Sequence, residues 1–177
     1  ESTALAARFN EDLFIAMQGV QGTYGGKVLM GHLTYTEIRW WGEQTRATPD
    51  GRFDGEYFSQ GLTPSRLKKI PSVTSVIHSM KALDRTTMAG NNVVNIILPL
   101  SKAEPVMLEG FLRAVADTSV MSLQLNCVTK EQLLDAQKHP ENYKSLVVRV
   151  AGYSALFTTL SRSLQDDIIN RTEQGGF

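Results

Sequence analysis

Cysteine is almost absent from this sequence. Cys127 is the single one in 177 residues, which excludes an internal disulfide and suits a reducing, cytoplasmic setting. An excess of either charge is also missing, since Lys plus Arg and Asp plus Glu are 18 each. Nothing is left over to neutralise a phosphate backbone, so no nucleic-acid partner is expected. Long apolar runs are lacking too. The best candidate, Val93 to Leu98, is broken by Asn95, and a membrane helix needs about 20 apolar residues, so no membrane partner is expected. Histidine is sparse: His32, His78 and His139 stand far apart, with no HxxxH pair and no cysteine at ligand spacing, which argues against a metal site. The glycines at 19, 22, 25 and 26 follow no strand in a GxGxxG frame, so no bound nucleotide cofactor is indicated. No Ser-His-Asp arrangement is legible from spacing, and there is no repeat or secretory signal. The chain begins at Glu1 rather than Met, so its natural start is left open.

What is present is a globular balance, 42% apolar and 20% charged, in a chain long enough for a core of its own. Leu5, Phe9, Leu13 and Ala16 recur at helical spacing, predicting a helix over 4–18 capped by Ser2 or Thr3. Alternation around Leu33, Tyr35 and Glu37 suggests an extended segment within 27–41. Thr48-Pro49-Asp50-Gly51-Arg52 is a turn, and 59–71 reads as irregular. Helices are predicted over 73–83 and 106–116, with strands over 93–98 and 122–128. Thr129-Lys130-Glu131-Gln132 is a capping box opening a helix to Lys138, which stops before Pro140. A strand over 146–150 and a final helix capped by Ser161 or Ser163 complete an α/β chain.

One phrase stands out: Arg149-Val150-Ala151-Gly152-Tyr153-Ser154. The plain reading is that Gly152 supplies a turn of positive φ after a buried strand. The chemical reading is that its Cα hosts a radical. Such a centre is stabilised by the amide nitrogen on one side and the carbonyl on the other, and without a side chain it can flatten freely. The residues alone permit both. Cys127 is weighed as a nucleophile or thiyl site against a buried, inert thiol, and burial is the expectation. Asp166-Asp167 reads as dipole complement to the last helix, and Trp40-Trp41 as packing rather than a stacking platform.

The same phrase, with Leu164 to Thr172 behind it and Leu123-Gln124-Leu125-Asn126 and Leu133 to Glu141 ahead of it, resembles the glycyl radical domain of the pyruvate formate-lyase and glycerol dehydratase superfamily. Ala47 to Arg52 with Gly55, Leu62-Thr63-Pro64-Ser65 and Asn92 to Pro99 follow the same order. The resemblance implies the C-terminal portion of a ten-stranded α/β barrel, with late barrel strands and helices over 1–105 and a glycyl radical domain over 106–177. It implies Gly152 as the catalytic residue. It also implies a radical S-adenosylmethionine activating enzyme, bearing an iron–sulfur cluster, that installs the radical. The stored radical would pass to a cysteine on a larger chain and then to a small-molecule substrate, in anaerobic metabolism. The Ala-Gly-Tyr-Ser loop and the Arg171-Thr172-Glu173 ending look more like the dehydratase and C–N or C–S lyase branches than the formate acetyltransferase-like branch. Cys127 does not match the family's catalytic cysteine, so the chain by itself is expected to be incomplete as an enzyme. The alternative is a replacement radical domain that repairs an oxygen-cleaved formate acetyltransferase-type enzyme.

Overall fold

The computed structural model describes residues 1–33, 37–63, 71–84, 86–98 and 104–171. The centre of the extended segment expected around Tyr35, most of the irregular stretch over 59–71, and the chain after Arg171 lie outside these residues.

The chain opens with α1 (Ser2–Met17), whose first turn is preceded by Glu1 with no side-chain cap; the expected cap by Ser2 or Thr3 does not form, because both already lie inside the helix. Trp40 and Trp41 sit in a short helix, α2 (Ile38–Glu43), not in an extended segment. The expected Thr-Pro-Asp-Gly turn is present: Gly51 N donates to Thr48 O at 3.1 Å, and Gly51 has φ +100°. Arg52, which follows it, is buried, and its guanidinium donates to the carbonyls of Thr45, Arg46 and Glu56 while lying over the Phe58 ring.

Two cores follow in sequence. The first is built on α3 (Val73–Lys81), β1 (Val93–Ile97), α4 (Pro105–Ala116) and β2 (Ser122–Asn126). Ser72 caps α3 through its side chain, and Val73, Val76, Ile77 and Met80 fall on one buried face. The β-branched run of β1 pairs in parallel with β2, Val93 opposite Ser122 and Ile97 opposite Asn126. Parallel neighbours need a crossover, and α4 supplies it, laying Phe111 and Val115 onto Val94, Ile96 and Leu98. The other edge of β1 is paired too, by a bridge from Gly61 to Val94 and by Leu62 N donating to Val93 O at 2.9 Å.

The second core gathers α5 (Lys130–Lys138), β3 (Val147–Arg149), β4 (Ser154–Leu156) and α6 (Arg162–Asn170). Thr129 Oγ1 accepts from Gln132 N at 3.1 Å, as the capping box requires. Ser161 precedes α6, but without a side-chain cap bond. Leu133, Ala136, Val148, Val150, Phe157, Ile168 and Ile169 pack together, with Phe157 fully buried. The two strands form an antiparallel hairpin with Val147 opposite Leu156 and Arg149 opposite Ser154. Mixed helices and strands confirm the α/β reading. Among the described residues, no helix is long and apolar enough to cross a membrane.

Candidate functional site

The hairpin ends at Gly152. Val150 N donates to Tyr153 O at 2.9 Å, which leaves Ala151 and Gly152 as the two central residues of the turn. Gly152 has φ +80° and is exposed. That sign of φ at the second central position is what glycine provides in a turn. A Cβ built on Gly152 would meet nothing within 4 Å, so no neighbouring atom demands glycine there. Local backbone conformation is the one steric reason for it, and the Cα is open to an approaching molecule.

Arg149 staples the tip from the side. Its Nη2 donates to Gly152 O at 2.9 Å and its Nη1 to Ser154 Oγ at 3.2 Å. A cationic donor on the Gly152 carbonyl polarises the electron-withdrawing side of that Cα, and charge-assisted bonds of this kind are stronger than neutral ones.

Below the tip the main chain is gripped. Arg149 N donates to Asn126 Oδ1 at 2.7 Å, and Asn126 Nδ2 donates back to Arg149 O at 3.1 Å. Arg171 Nη1 donates to the same carbonyl at 3.0 Å, while Arg171 Nη2 pairs with Asp167 Oδ2 at 2.9 Å. With its amide oriented to satisfy both neighbours, Gln60 donates to Val150 O at 3.2 Å and accepts from Arg171 Nη2 at 2.6 Å. Asp167 is therefore more than a dipole complement; it is the partly buried counter-ion of Arg171.

Cys127 lies immediately after β2 and is exposed, contrary to the expected buried thiol. β2 ends at Asn126, and the Cys127 side chain faces out between the buried side chains of Asn126 and Val128. Partial desolvation still pushes the Cys127 thiol pKa up, which lowers its thiolate fraction and its reactivity. His32, His78 and His139 are not brought together, and among the described residues no group of three or more His, Cys, Asp or Glu is placed to hold a metal ion. Sequence reasoning did not single out Gln60, Asn126 or Arg171 individually. What marks them is burial of a polar side chain, which only the fold reveals.

Residues 58–158 match the family model described as "Glycine radical", a span that holds the whole hairpin. The chain belongs to the glycine radical family. Among curated relatives in this family, it is 38% identical over 163 residues to the probable dehydratase YbiW of Escherichia coli, covering 86% of this chain and 20% of that protein. It is 36% identical to the trans-4-hydroxy-L-proline dehydratase of Clostridioides difficile, covering 85% of this chain and 19% of that one. The solved structure describing 1,2-propanediol dehydration in Roseburia inulinivorans superimposes with a TM-score of 0.86 at 38% identity, over 97% of this chain and 22% of the other. The chain thus spans about a fifth of the length of the glycine radical relatives it matches.

Proposed function

We propose that Gly152 stores an organic radical and that this chain is the radical-carrying part of a larger lyase or dehydratase. A radical S-adenosylmethionine activating enzyme removes one hydrogen atom from the Gly152 Cα and leaves the unpaired electron there. When the enzyme works, a cysteine thiol on a larger chain gives its hydrogen atom to that Cα, re-forming the C–H bond, and the resulting thiyl radical takes hydrogen from a small-molecule substrate. At the end of the cycle the exchange runs in reverse and the glycine holds the electron again. Cys127 is not that thiol: the resemblance places the family's catalytic cysteine upstream of the turn at Thr48 to Arg52, whereas Cys127 follows the strand Ser122–Asn126. Dehydration, or another C–O, C–N or C–S cleavage, is the favoured class. Relatives named as dehydratases support it, together with the Ala-Gly-Tyr-Ser loop.

The observation that carries this reading is the open face of Gly152. The family match runs through the hairpin, and at its tip stands a glycine that no neighbouring atom requires. The test is anaerobic incubation of the chain with a matched activating enzyme, followed by electron paramagnetic resonance. A doublet that carbon-13 glycine labelling alters, and that Gly152→Ala abolishes in a folded protein, is the expected result. A signal that survives Gly152→Ala, or none from the unaltered chain, overturns it. Restoration in trans of an oxygen-cleaved formate acetyltransferase-type enzyme would assign the same radical to repair instead.

A further inference from the structure

Three buried polar side chains from distant places in the sequence converge on the two carbonyls just before the hairpin tip. Asn126 closes both main-chain groups of Arg149, Arg171 adds a second donor to Arg149 O, and Gln60 links Val150 O to Arg171. We infer that Asn126, Arg171 and Gln60 are positioning residues, which fix the main chain at 149 and 150 and thereby set where Gly152 stands. The inference rests on the reading of Gly152 as the radical site.

The hairpin cannot supply this order by itself. It has three paired positions, and an isolated two-stranded hairpin is marginal in water. Nor does close packing supply it on the side of Gln60. A cavity of about 130 Å³ lies there, bordered by Ile38, Tyr57, Gln60, Val150, Ala151 and Leu164, so hydrogen bonds must do what contact does not. Burying such groups is costly unless each is paired, and here the pairing is directed at one short stretch of backbone. Gln60 and Asn126 are 7% and 4% exposed, and the Arg171 side chain 8%. Arg149 carries the effect to the tip, because the residue whose main chain is gripped is the one whose guanidinium donates to Gly152 O. A Cα radical spreads over its two flanking amides only while they lie flat with it, so a loose hairpin blurs that geometry.

Hydrogen exchange on the full chain, read by mass spectrometry over 147–156, tests the inference. In Arg171→Met the hairpin amides should exchange faster by about tenfold, with β1 and α5 unchanged. Arg171→Lys, which keeps one donor, should recover part of the protection. Gln60→Met removes the bond to Val150 O and the acceptor on Arg171 Nη2, leaves the Asn126 bonds in place, and keeps the test decisive if Arg171→Met does not fold. Unchanged hairpin exchange in Gln60→Met overturns the inference, as does its global unfolding, which would mark Gln60 as a general stability residue. After activation, Gln60→Met should show an altered doublet splitting and faster decay; an unaltered line shape at lower yield counts against positioning. A missing doublet in the unaltered chain would sink the radical reading, while the exchange result still decides whether the hairpin is held.

Discussion

Two glycines of positive φ, one beside each core, occupy opposite situations. Gly61, at φ +56°, lies against the edge of β1, and a Cβ there would collide with the Val93 carbonyl oxygen. Gly152, at φ +80°, has empty space around it. The first glycine lets two backbones touch, so its role is explained by packing. The second is explained only in part, by the turn it makes. The first region is a parallel pair closed by a crossover helix and paired on both edges of β1. The second is a short hairpin with an exposed tip whose backbone is gripped from beneath. A sterically idle glycine on a well-held loop is where a chemical role is most economical.

Substitutions test this contrast, the largest effect first. Phe157→Ala should cost about 3–5 kcal/mol, because the ring is fully buried in the second core. Native-state hydrogen exchange should show that loss over 128–169 before it reaches β1; simultaneous loss in both regions would mean that the two cores are one cooperative unit. Gly61→Ala should cost about 3 kcal/mol in chemical denaturation, combining strain at positive φ with a backbone collision. Gly152→Ala should cost only about 1–2 kcal/mol, since strain is its sole structural penalty. Gly152→Asn should recover part of that, because asparagine tolerates the left-handed region, yet neither variant should form the radical. Equal costs at 61 and 152 would break the comparison. Thr129→Ala should remove about 1 kcal/mol by freeing the Gln132 amide.

The smallest effect concerns pH. Asp84 accepts a hydrogen bond from Thr86 N at 2.8 Å, which lowers its pKa below the ordinary aspartate value. Its contribution to stability is therefore present above the unfolded-state pKa and fades as pH falls through the lower folded-state value. Asp84→Asn should lower the melting temperature slightly near neutrality, where that contribution is present, and make it less dependent on pH in the acidic window, where the two proteins converge. An identical acid limb in both proteins would remove Asp84 from the account.

Exposure to oxygen after activation should cut the chain at Gly152 and release a piece of about 25 residues, seen by mass spectrometry. An intact chain after loss of the signal would mean that the radical is quenched without cleavage.

Much of this molecule is written locally. The apolar spacing of Val73, Val76, Ile77 and Met80, the β-branched run of β1 and the capping box at Thr129 each predict their element, because a helix or strand of these residues buries one face whatever lies opposite. The turn at Gly152 was legible for the same reason, and the order of short motifs carried the family resemblance. Local signals failed where a neighbour decided the outcome. Ser2 and Thr3 were drawn inside α1, and Trp40 and Trp41 joined a helix. Cys127 turned outward, and Asp167 found Arg171. The convergence of Gln60, Asn126 and Arg171 had no sequence signature, since residues so far apart meet only when both cores are assembled. Sequence by itself determined most of the helices, strands and turns, and that a lone glycine ends the strand at 147–149, because those depend on side-chain spacing and backbone freedom. Only the tertiary structure decided that this glycine has open space around it and a braced backbone beneath it, because those properties belong to what surrounds the chain rather than to the chain's own order.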